Sequence, residues 1–163
     1  MNWLLKLSWL ISLGISLFVF LMIEHFFTIQ PEGTSGSGNL GAVGIALVLP
    51  FLILSLFTTF RYLSTFVNQT KDPLNRVFTI ISMIVLLNIF IYFAYSYQQD
   101  VFESLGGSTS NPNSQIYQYP LLNQYTNHIF FNFYTFGLVH TFSGLIGSIV
   151  GWFKPKKEES LEV

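Results

Sequence analysis

Four apolar runs dominate this sequence: Trp3–Ile29, Leu40–Val67, Val77–Tyr97 and His128–Phe153. Each comes near or exceeds the roughly 20 residues that a helix needs to cross a bilayer. Helices apolar on every side are the form expected in lipid. Composition supports the same solvent. Hydrophobic residues make up 51% of the chain, Phe alone occurs 18 times, and only 9% of residues are charged, where an ordinary globular protein has about 25%. So few charges cannot cover a surface that faces water.

The basic residues fix how the runs are threaded. Four spans place the N-terminus, the connector Asn68–Arg76 and the C-terminus on one side. All seven Lys and Arg fall there: Lys6, Arg61, Lys71, Arg76, Lys154, Lys156 and Lys157. The opposite connectors and the nearby helix end hold Glu24, Glu32, Asp100 and Glu103, with no Lys or Arg. Basic segments stay cytoplasmic during insertion. The sequence therefore predicts an all-α, polytopic integral membrane protein of the plasma membrane. It is read as an up-down bundle of four transmembrane helices with both termini cytoplasmic.

Residues 1–160 form one predicted domain, with an extracytoplasmic loop over 98–127. Leu161-Glu162-Val163 resembles the start of a cloning linker. The first run lacks a small-residue cleavage site after Glu24-His25-Phe26-Phe27, so it reads as a retained span. Trp3, Trp9, Tyr62 and Trp152 are expected at the inner interface, and Tyr92, Tyr95, Tyr97 and Tyr134 toward the outer one. The two predicted hairpins share neither loop lengths nor helix features, which disfavours an inverted-repeat transporter.

The final run carries the most pattern. Gly137, Gly144 and Gly151 recur every seven residues, with Gly147 between them. At about 100° per residue, His140 shares their side. Small residues let helix backbones approach where no hydrophobic force joins helices, so this face is predicted to pack within the bundle or against a partner. Counting depth along each run puts Ser16, Pro50, Asn88 and His140 near mid-bilayer. Pro50 frees the carbonyl of Ala46, and a neutral His140 is expected to donate to that carbonyl or to Asn88. Structural cross-linking, a solute site and a proton relay are the readings of this cluster.

A second cluster gathers near the outer surface: Glu24, His25, His128 and Asn132. If the first and last helices are neighbours, two imidazoles and a carboxylate converge, a donor set that suits Zn, Fe or Cu. Two histidines at one depth also suit axial haem ligation. No H-E-x-x-H spacing links them, so a solvated helix-end cluster is the competing reading and no metal or cofactor is expected. The outer loop joins a flexible polar run, Gly106–Asn113, to an uncharged aromatic stretch, Gln115–Leu122. That stretch reads as an interfacial anchor, a lid or a binding surface.

Enzyme signatures are missing: no nucleophile–base pairing, no phosphate-cradling loop and no acidic pair. A chain without cysteine has no thiol chemistry, and a net charge of −1 with no basic stripe excludes a nucleic-acid partner. The tail Lys154, Lys156 and Lys157 is at most a weak anionic-lipid anchor, diluted by Glu158 and Glu159. Together these features predict a non-enzymatic accessory, assembly or regulatory subunit in the lipid bilayer. It would bind another membrane protein, or itself, through helix four and the outer loop. A small-solute or ion carrier using the mid-membrane cluster is one alternative. A haem- or metal-binding redox subunit using His25 and His128 is the other.

Overall fold

A computed structural model describes residues 3–31, 33 and 38–155. Glu32, Lys156, Lys157, Glu158, Glu159 and the predicted linker at 161–163 lie outside the described residues. The chain is all-helical there, with α1 Trp3–His25, α2 Leu40–Gln69, α3 Pro73–Ser104, α4 Asn127–Phe130 and α5 Phe133–Phe153. α1, α2, α3 and the α4–α5 unit are each long and apolar enough to span a membrane.

α1 stops at His25, short of the predicted Ile29, and two other segments differ from their apolar runs for local reasons. α3 starts earlier because Asp72 caps it, accepting from the Leu74 amide at 2.9 Å, and Pro73 tolerates the first turn, where its missing N–H has no intrahelical role. The same helix continues past Tyr97 through a polar stretch to Ser104, so hydropathy alone ends it too soon. The last run is not one helix. Asn132 divides it: its side chain accepts from the Thr135 amide at 2.9 Å, opening α5 with a capping box. Its amide group donates to the His128 carbonyl at 2.6 Å, closing α4. One carboxamide thus satisfies orphan backbone groups at both sides of the break.

The helices are not arranged as a closed square. α2 packs on α1 and α5, and α3 packs mainly on α5. α5 is therefore the shared wall, and α3 lies outside it, with no residue of its most apolar window buried. The glycine row explains how one helix holds two neighbours. A β-carbon at Gly147 would strike the Phe60 carbonyl oxygen, and one at Gly151 the Ser64 carbonyl oxygen, so α5 lies backbone-to-backbone against α2. Gly137 receives the ring of Phe90 from α3. Ser143 adds a 2.7 Å hydrogen bond to the Leu56 carbonyl across the α2–α5 contact.

Charged and aromatic groups separate by end. Trp9 of α1 stacks on Tyr62 of α2 at 4.4 Å. Arg76, at the start of α3, donates to the Thr70 carbonyl at 2.6 Å and lies over the Trp152 ring of α5. The opposite end gathers Phe93, Tyr97 and Tyr134, with Phe93 and Tyr134 stacked at 5.5 Å.

Candidate functional site

Polar side chains line the contact between α1, α2 and α5. Ser12 and Ser16 are four residues apart on α1 and face Ser55, Thr58 and Thr59 on α2; all five are buried. Trp9 Nε1 donates to Thr59 Oγ1 at 2.8 Å. Ser16 Oγ lies 3.3 Å from Ser55 Oγ, and Ser55 Oγ lies 2.8 Å from Nε2 of His140. The other imidazole nitrogen, Nδ1, is 2.8 Å from the Phe136 carbonyl.

That last contact sets the tautomer. A carbonyl only accepts, so Nδ1 of a neutral His140 carries the proton and Nε2 accepts from the Ser55 hydroxyl. Both ring nitrogens are then occupied within the chain. Of the four mid-depth residues, the structure brings together Ser16 and His140, through Ser55. Asn88 and Pro50 do not join them. Asn88 is exposed on α3 and donates to its own helix at the Ile84 carbonyl, 2.8 Å away; Pro50 is exposed on α2. The expected bonds from His140 to Asn88 or to the Ala46 carbonyl are replaced by those to Ser55 and Phe136. Depth was assigned from residue counts; the side of the helix was not.

The outer cluster is divided as well. The His25 side chain is 63% exposed, 4.0 Å from the Glu24 carboxylate. His128 is 6% exposed and stands edge-on to Tyr97 with ring centres 5.7 Å apart. The Glu24 carboxylate is placed to interact with the Tyr97 hydroxyl. The predicted convergence of two imidazoles and a carboxylate is corrected accordingly. Among the described residues no group of three His, Asp or Glu is placed to hold a metal ion. Asn132, the fourth member, is the helix-break cap described above.

The connection from α3 to α4 is folded. Gly106 and Gly107, at φ 76° and 128°, turn the chain back after α3, a region open to glycine without strain. Ile116 is buried with Val101, Leu105 and Ile129. The Gln115 amide donates to the Leu105 carbonyl and the Gln118 amide to the Thr109 carbonyl, each at 3.0 Å. The run Gly106–Asn113, expected as flexible, is held by these bonds and by Asn111, whose side chain donates to the Gly106 carbonyl at 2.9 Å.

This cap is tied to the first hairpin from three directions. The Ile29 amide donates to the Gln124 carbonyl at 2.9 Å, and Gln115 Nε2 donates to the Pro31 carbonyl at 3.0 Å. Asn127 donates to Asn39 Oδ1 at 2.5 Å, and its side chain fills the space over Gly41. Tyr117, Tyr119, Leu121 and Leu122 remain exposed on the outside of the cap. Sequence reasoning missed the Ser/Thr contact and the Asn39–Asn127 pair. The signal for the former was Ser12/Ser16 and Ser55/Thr58/Thr59, which share helix faces by three- and four-residue spacing.

Comparison with known proteins found no match among family models, curated proteins or solved structures.

Proposed function

We propose that this chain is a non-enzymatic accessory subunit of the plasma membrane, both termini cytoplasmic, that binds another membrane protein at its extracytoplasmic end. The folded cap carries this reading. The exposed, uncharged surface of Tyr117, Tyr119, Leu121 and Leu122 is read as lying at outer-interface depth, on a platform hydrogen-bonded to the α1–α2 hairpin. Aromatic side chains at that depth supply large contact area at low entropic cost.

α5, the helical part of the predicted fourth span that carries the glycines, contributes less than they suggest, because they are covered by α2 and α3. What α5 offers outward is the opposite face, Phe142, Ile146 and Ile149. The carrier reading gains no support from His140, both of whose nitrogens are engaged. The partner chemistry that fits is a membrane protein with an apolar patch at outer-interface depth.

Purification from native membranes in mild detergent tests the proposal. A stoichiometric companion should accompany the wild-type chain, be lost from a Tyr119→Ser, Leu122→Ser variant, and persist with Phe18→Ala on the lipid face of α1. Recovery of the lone chain, or retention of the companion by the cap variant, overturns it. A coloured or metal-containing preparation would revive the redox alternative.

A further inference from the structure

α3 has one face against α5 and an opposite face with no neighbour among the described residues. On the free face, Phe78, Ile81, Val85, Asn88, Tyr92 and Tyr95 follow one another at alternating three- and four-residue steps. That is the seven-residue repeat of a left-handed helix–helix seam. The five apolar members are each more than half exposed. Lipid exposure alone accounts for the apolar members, since exposed α3 residues outside this row, such as Leu74, Ile84, Ile89 and Ile91, are apolar as well. The polar member is the informative one.

Asn88 stands at the midpoint of α3, which runs from Pro73 to Ser104. Its carboxamide has two N–H donors and an oxygen acceptor. One N–H reaches the Ile84 carbonyl; the second N–H and Oδ1 have no partner among the described residues. In hydrocarbon, groups left so are costly. A carboxamide is its own complement, its N–H matching its C=O. A two-fold axis along the membrane normal places any residue on the axis against itself. We propose that the chain self-associates as a two-fold dimer through this face of α3, with the Asn88 carboxamides of the two copies hydrogen-bonded to one another.

This surface is distinct from the cap, so the dimer and the accessory role stand or fall separately. The purified chain in lipid vesicles is sufficient for the test. Because the sequence contains no cysteine, single Val85→Cys and Tyr92→Cys variants report the seam, and Phe18→Cys, exposed on α1, reports random collision. Oxidation should cross-link the two seam variants to dimers and leave the α1 variant monomeric as vesicle lipid is increased.

Energy transfer between labelled copies gives the second readout. Asn88→Leu should weaken association by about tenfold, and Asn88→Gln should retain most of it. Asn88 is exposed within one copy, so these variants fold, which an unchanged thermal transition of the diluted monomer checks. Equal cross-linking at α1 and α3, a wild-type chain that stays monomeric at every dilution, or an Asn88→Leu variant that associates as well as wild type would each overturn the proposal.

Discussion

Ser55 and His140 meet at 2.8 Å between α2 and α5, and Ser55 is the one side-chain hydrogen-bond partner of the imidazole among the described residues. Contacts of this kind in a membrane contribute on the order of 0.6–2 kcal/mol. Their strength is read from a double-mutant cycle of Ser55→Ala and His140→Leu, with reversible unfolding in mixed micelles. A coupling of about 1 kcal/mol is expected. A sum of the two single effects with no coupling term would show that proximity here carries no energy.

The glycines of α5 differ sharply from the glycine of α1. Around Gly14 an added β-carbon meets nothing within 4 Å, whereas at Gly147 and Gly151 it meets backbone oxygens that cannot rotate away. Gly147→Ala and Gly151→Ala are each expected to cost about 1–3 kcal/mol through forced separation of α2 and α5. Gly14→Ala should be neutral or stabilise by up to about 1 kcal/mol. Thermal unfolding in detergent ranks the three, and equal effects would contradict the close approach.

Asn132 closes one helix and opens another. Its replacement by Ala removes the α5 cap together with the bonds donated to the His128 and Ile129 carbonyls, at an expected cost of about 1–2 kcal/mol. Asn132→Asp keeps the acceptor for the Thr135 amide but no donor for the His128 carbonyl, and should fall between Ala and wild type. An Ala variant as stable as wild type would mean that the break is imposed by the cap rather than by this side chain.

Orientation is open to direct labelling in the cysteine-free background. A membrane-impermeant maleimide applied to intact cells should modify Ser110→Cys in the cap and spare Asn75→Cys at the start of α3. Both positions are exposed. The opposite result would invert the protein and move the proposed partner to the cytoplasmic side.

The four long apolar helices were readable because length and hydropathy are properties of a segment and need no neighbour. The mid-membrane site was only half readable. Residue counting gives depth, and it placed Ser16 and His140 within reach of one bridging hydroxyl. It gives no azimuth when a helix is apolar all round, which is why Asn88 and Pro50 were grouped with them although both face outward. Ser55 went unnoticed because a serine in a helix can satisfy itself on a carbonyl one turn back. The division at Asn132 was hidden by continuous hydropathy across Phe131. The cap was hidden because its bonds join Ile29 and Asn39 to residues far along the chain, pairings that no local pattern announces.

The place of α5 between α2 and α3 has a consequence for biogenesis. The chain order is α2, α3, α5, yet α2 and α3 are each completed by α5 rather than by one another. During synthesis the two earlier helices are made before the surface they will bind, with Phe60, Ser64 and Phe90 left without their α5 contacts. The helix made later has to slot between them like a keystone. A nascent chain stalled before that point holds spans but no assembled protein, and is a ready substrate for membrane quality control.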